Sequence, residues 1–140
     1  MTIKTGEDIT AADVIATAGT VWLSLGLNQD EALTTADTDQ DWVDDKMNAW
    51  KISEVLSLCG TASSSGSVTI DIKKNGVSIL TTQITISEGQ LTSKTAPVQP
   101  VIDVTKQTVA TGDRISATVS GAGVGVLWCK AKVKFLLVPA

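Results

Sequence analysis

The chain has 140 residues, a formal net charge of −4, and neither histidine nor tyrosine. That length suits a single domain able to bury its own core, and the missing histidine removes the commonest general base and metal ligand. Hydrophobic residues at 43% and charged residues at 19% place it with globular rather than disordered chains.

Residues 1–10 carry Glu7 and Asp8 and no apolar stretch, so they do not read as a secretory signal. No run approaches the ~18 apolar residues of a membrane helix. The expectation is a soluble protein made in a cytoplasm. Thr10 and Asp13 resemble a capping box, which predicts a short helix over residues 11–18 stopped by Gly19. Residues 20–27 read as a strand, with Val21, Leu23 and Leu25 on one face and Trp22 on the other. Residues 28–48 are acidic and rich in Thr and Ala. They read as loop with partial helix, Trp42, Val43 and Met47 lining one side, or as a loop that anchors its tryptophan in a groove.

From Ala49 the period becomes two. Trp50, Ile52, Leu56 and Leu58 form the expected inner face, although Glu54 interrupts it and Val55 falls on the polar side. Residues 61–67 make a flexible turn before Val68, Ile70 and Ile72. Asn75-Gly76 then marks a tight hairpin, because both central residues of a type I′ turn need positive φ. The return strand over residues 77–86 shifts phase between Ile79 and Leu80, which predicts a bulge. A short strand is expected over residues 92–96, stopped by Pro97, with brief pairing over residues 101–104. Ile115, Ala117 and Val119 form an inner face, and Gly121, Gly123 and Gly125 turn the chain. In the last strand Leu127, Cys129, Ala131, Val133, Phe135 and Leu137 face inward, and Trp128, Lys130, Lys132 and Lys134 outward. About seven or eight strands at this spacing predict a mainly β, antiparallel, jelly-roll-like sandwich behind an N-terminal arm. The expected boundary separates an arm and acidic attachment segment, residues 1–48, from the sandwich, residues 49–140.

Charge is unevenly placed. Residues 1–50 hold ten acids and two lysines, a net of −8, and residues 51–140 hold nine bases and five acids, a net of +4. The two parts are complementary, within one chain or between copies, and the acidic part argues against nucleic acid. Arg114 is the lone arginine, which argues against a nucleic-acid groove elsewhere.

Candidate chemistry is sparse. Asp37, Asp39 and Asp41 open like a calcium loop, but Trp42 and Asn48 stand where the motif needs Gly and Glu. The segment reads as solvated, and a different calcium site using Asp39, Asp41, Asp44 or Asp45 stays open. Serines lack a histidine partner and a nucleophile elbow. Cys59 and Cys129, with no CxxC, are too few for a metal site and read as buried thiols, with a disulfide as the alternative. No cofactor is expected. The row Trp128, Lys130, Lys132, Lys134 reads either as the wet face of an edge strand or as a docking face for an acidic surface, such as residues 30–45 of a neighbouring copy.

Residues 67–96, with the hairpin Asp71-Ile-Lys-Lys-Asn-Gly76 and the turn Gly89-Gln-Leu-Thr-Ser93, followed by the Gly112-Asp113 turn, resemble β-rich domains of tailed-bacteriophage virion proteins. The similarity covers roughly residues 50–138. Such domains occur in tail-fibre or receptor-binding proteins and in capsid decoration proteins. The resemblance implies a non-enzymatic virion surface protein, made in the host bacterial cytoplasm and assembled as a homotrimer. Its expected partners are the major capsid protein or tail proteins, with host glycans as the alternative contact and neither nucleic acid nor membrane. The candidate interface residues are Asp37, Asp39, Asp41, Trp42, Asp44, Asp45, Trp128, Lys130, Lys132 and Lys134.

Overall fold

The structure, a computed structural model, describes residues 20–43 and 50–137. The helix expected over residues 11–18 lies outside these, as do Asp44, Asp45 and Met47. No helix among the described residues is long and apolar enough to cross a membrane. The strands are β1 (Thr20–Gly26), β2 (Thr38–Trp42), β3 (Trp50–Leu58), β4 (Val68–Lys74), β5 (Val77–Ser78), β6 (Leu80–Thr82), β7 (Ile84–Ile86), β8 (Val101–Ile102), β9 (Thr108–Val109), β10 (Arg114–Ala122) and β11 (Lys130–Leu137).

All pairings are antiparallel. One sheet runs β1-β11-β3-β9, and the other runs β2-β10-β4 with β5 and β7 sharing the place beside β4. The pairs are nested: β4 with β5 and β7, β3 with β9, β2 with β10, β1 with β11. A long hairpin rolled so that successive pairs alternate between two sheets gives this order, which is the wiring of a jelly roll. Residues 20–43, expected in the arm, therefore supply one strand to each sheet.

The innermost turn has the chemistry its sequence requires. Asn75 and Gly76 lie at φ +52° and +83°, conformations that glycine adopts freely and asparagine tolerates. Asn75 does more than turn. Its amide N–H donates to the Arg114 carbonyl, its Oδ1 accepts from the Arg114 N–H, and its Nδ2 donates to Asp113 Oδ1. The β4–β5 turn is thereby fastened to the start of β10.

The core lies between the sheets. Val68, Ile70 and Ile72 from β4, and Ile115, Ala117 and Val119 from β10, are buried against Ala131, Val133 and Phe135 from β11, as alternation predicts. β3 departs from its expected phase. Its pairing with β11 slips between Glu54 and Ile52, leaving Ser53 as an extra residue. Such a bulge reverses which side chains face inward. Val55 and Ser57 are consequently buried, while Leu56 is half-buried and Leu58 exposed on the outer face. Ser57 is satisfied there, donating from Oγ to the Lys130 carbonyl at 2.6 Å and from its N–H to Ser93 Oγ at 2.9 Å.

Three other expectations change. Residues 38–42, read as loop or partial helix, form strand β2 along β10. Residues 93–95 form a 3-10 turn rather than a strand, because Thr92 caps it by accepting from the Lys94 N–H. The bulge expected at Ile79 and Leu80 is a larger excursion. The chain leaves β4 after Ser78, pairs through β6 with β8, and returns to β4 at Ile84.

Two outcomes check this assignment. Gly76→Val is expected to cost about 1–3 kcal/mol, because a β-branched residue is strained at positive φ, and it should lower the urea midpoint without changing the slope. Val55→Ala should cost about 1–3 kcal/mol and Leu56→Ser no more than about 0.5–1 kcal/mol, in equilibrium unfolding. The unbulged register predicts the reverse.

Candidate functional site

The lysine row sits differently from the sequence reading. β11 is an interior strand between β1 and β3, so Lys130, Lys132 and Lys134 do not guard an edge. They stand along the middle of an outer sheet face. Across them lie Gly26 and Leu58 beside Lys130, Ser24 and Leu56 beside Lys132, and Trp22 and Glu54 beside Lys134. Lys134 Nζ lies 5.7 Å from the centroid of the Trp22 ring, a cation–π contact. Glu54 is ion-paired with Lys94. Among the described residues none of the three lysines has a carboxylate partner. Trp22 and Leu58 are both well exposed. The face is mixed, with Trp22, Leu56 and Leu58 beside Ser24, Gly26 and Glu54, and along its centre runs a row of lysines without ion pairs among the described residues.

Trp128 does not belong to that row. The strand begins at Lys130, and Trp128 precedes it at φ +59°. A bulky residue takes this conformation only where packing imposes it. A Cβ on Gly60 would stand only 3.0 Å from the Trp128 Cβ and 3.3 Å from its ring. Glycine at position 60 makes room for the tryptophan, which stays half exposed.

The acidic residues separate into two settings. Asp30, Glu31 and Asp37 line a hollow of about 350 Å³ in the loop between β1 and β2. Asp37 Oδ2 accepts from the Thr34 N–H, which holds the loop closed. Asp39 and Asp41 are on β2, opposite the inward residues Ala117 and Ile115, and so point toward β1 past the rim of the core. Asp39 Oδ2 accepts from the Gly26 N–H at 3.0 Å, joining the edges of the two sheets. Alternation in an extended strand does not wrap these carboxylates round one ion, and among the described residues no three acidic, cysteine or histidine side chains are grouped to hold a metal. Of the expected acidic set, the structure brings Asp39 and Asp41 together with Trp42 but not with Asp37, and Asp44 and Asp45 lie outside the described residues.

Between β1 and β2 a cleft of about 190 Å³ is lined by Val21, Trp22, Leu23, Asp41, Trp42, Val43 and Phe135. Trp42 is 55% exposed and Trp22 43% exposed, so aromatic surface on either side of this cleft meets solvent. A wider hollow of about 460 Å³ lies beside β3, lined in part by the Glu54–Lys94 pair, Gln99 and Gln107. Sequence reasoning missed Leu56 and Leu58 as surface contributors, whereas it placed Trp22 on the face opposite Val21, Leu23 and Leu25, where the structure leaves it exposed. The signal for the leucines was the break in alternation at Glu54 and Val55.

Both thiols are free and buried. Burial pushes Cys129 up to about 11, only partly opposed by the Ser57 hydroxyl 3.7 Å away, and burial also raises Cys59. These are inert core groups rather than nucleophiles.

No protein-family model matches the chain, and no curated protein matches it. Among solved structures, a carbohydrate-binding module, CBM36, in complex with calcium and xylotriose is similar at 16% identity, over 82% of this chain and 96% of that chain, with a TM-score of 0.44.

The Cys129 thiol gives a pH prediction. A thiol ionising near 9 when free but near 11 when folded is stabilised in its protonated form by the native state. Its contribution is complete below about pH 9 and is lost as pH rises through about 11. Thermal melts from pH 8 to 11 should fall less steeply for Cys129→Ala than for the parent protein.

Proposed function

We propose that this chain is a non-enzymatic bacteriophage virion protein, and that it serves as a capsid decoration protein stabilising the shell by bridging capsid subunits. The observation that carries the reading is the outer face of the β1-β11-β3 sheet. Trp22, Leu56 and Leu58 there flank three lysines that form no ion pair among the described residues. An isolated monomer has little use for such a face, whereas one that docks is completed by the partner. The acidic hollow of the β1–β2 loop supplies a second surface of opposite sign. A protein that tiles a shell needs at least two contact surfaces, and bridging stabilises the shell because it favours the assembled state. In this reading the partners are further copies of the chain, as a homotrimer, and the major capsid protein. Neither nucleic acid nor a membrane takes part.

Quantitative gel densitometry of purified virions tests the role. Hundreds of copies per particle are expected, and particles stripped of the protein should rupture at lower temperature. A handful of copies per particle would refute shell decoration.

A second reading, a tail-fibre or receptor-binding protein contacting host glycans, is favoured by the Trp22–Trp42 cleft. Exposed tryptophan faces beside a carboxylate, Asp41, suit a sugar ring, which offers C–H groups to the rings and hydroxyls to the acid. This reading predicts saturable binding on a glycan array, lost in Trp42→Ala with an unchanged melting temperature.

A further inference from the structure

We infer that the lysine face of one copy receives the acidic β1–β2 loop of a second copy, so that the chain assembles head to tail with itself. This rests on the assembly reading above and names the partner of its basic face.

Charge complementarity carries the inference. Lys130, Lys132 and Lys134 alternate along β11 on one side of the sheet, spanning roughly 13–14 Å at strand spacing. None is neutralised by a carboxylate among the described residues. Asp30, Glu31 and Asp37 line one hollow in the β1–β2 loop, and none of them is paired with a cation among the described residues. Among the described residues each surface therefore groups three like charges without an ion pair, an arrangement that favours a partner of opposite sign. Surface ion pairs alone contribute little, about 0–1 kcal/mol each. The apolar part of the contact comes from Trp22, Leu56 and Leu58, which flank the lysines and lose water when covered.

The geometry also fixes the kind of assembly. The lysine face and the acidic loop are different patches of one molecule. A contact between unlike patches is heterologous, and it closes into a ring when the rotation between copies permits, otherwise growing as a filament. A trimer is the smallest such ring.

The test is a charge exchange in the full chain, followed by sedimentation velocity at low and high salt. The parent protein should associate, more weakly as ionic strength rises. Lys132→Glu with Lys134→Glu, and separately Asp30→Lys with Glu31→Lys, should each weaken association about tenfold or more. The variant carrying all four changes should recover to within about threefold of the parent, since the attraction is restored with its sign inverted. Lys132→Arg with Lys134→Arg should associate normally. Circular dichroism melts confirm that each variant folds. The inference is overturned if the parent is monomeric at all concentrations, if either pair of reversals leaves association unchanged, or if the fourfold variant stays as dissociated as the pairs. Particle binding by these variants is scored separately. Loss of binding to shells with self-association intact assigns the face to the capsid and also overturns the inference, whereas self-association without any shell binding overturns the decoration role and leaves the inference standing.

Discussion

Everything else in this molecule depends on the nesting of strand pairs around one two-residue turn. Around the reversal at Asn75 and Gly76, β4 lies beside its return strand, and outside them β3 pairs with β9, β2 with β10 and β1 with β11, the β6–β8 pair standing apart from this nest. Each pair closes a longer loop than the one inside it, so the outer pairs carry a growing entropic cost that inner ones have already reduced. The three hydrogen bonds from Asn75 to residues 113 and 114 link the innermost turn directly to β10, the strand that aligns β2 and β4. A local turn preference thus reaches into long-range register.

That wiring places the candidate surfaces. Because β1 and β3 both flank β11, residues distant in sequence, Trp22, Leu56 and Lys132 among them, share one sheet face. The same wiring puts the polar segment from Thr38 to Trp42 at the edge of the opposite sheet. Its inward-pointing Asp39 and Asp41 discourage another chain from adding to that edge, because a further strand would enclose two carboxylates. Asp39 also bonds Gly26 across the gap between sheets. A charge pattern that looks like a binding motif in the sequence therefore serves partly to close and protect the fold.

Most of the sandwich was legible in advance. The inner faces of β4, β10 and β11 follow strict alternation, and the hairpin carries its own turn chemistry. What escaped did so for definite reasons. β2 lacks an apolar face because its inward positions lie beyond the core rim, so periodicity had nothing to detect. In β3 one extra residue at Ser53 exchanged the two faces, and Leu56 and Leu58 were assigned to the core instead of the surface. The lysine row was visible, but its place on an interior strand was not, since strand order depends on pairings between segments far apart in the chain. Trp128 was placed in the row because alternation was continued through a residue whose backbone is left-handed.

The position of the lysines on an interior strand also limits how such a surface can change over time. Loop-borne contact sites tolerate insertions and deletions, and can be lengthened or replaced wholesale. A row in the middle of a sheet has no such freedom, because adding or removing one residue moves every later side chain to the opposite face. Divergence here must proceed by substitution at every second position, with the backbone held in register throughout. Such a surface would then drift slowly and in small steps, and any partner docked on it would have to follow at the same pace.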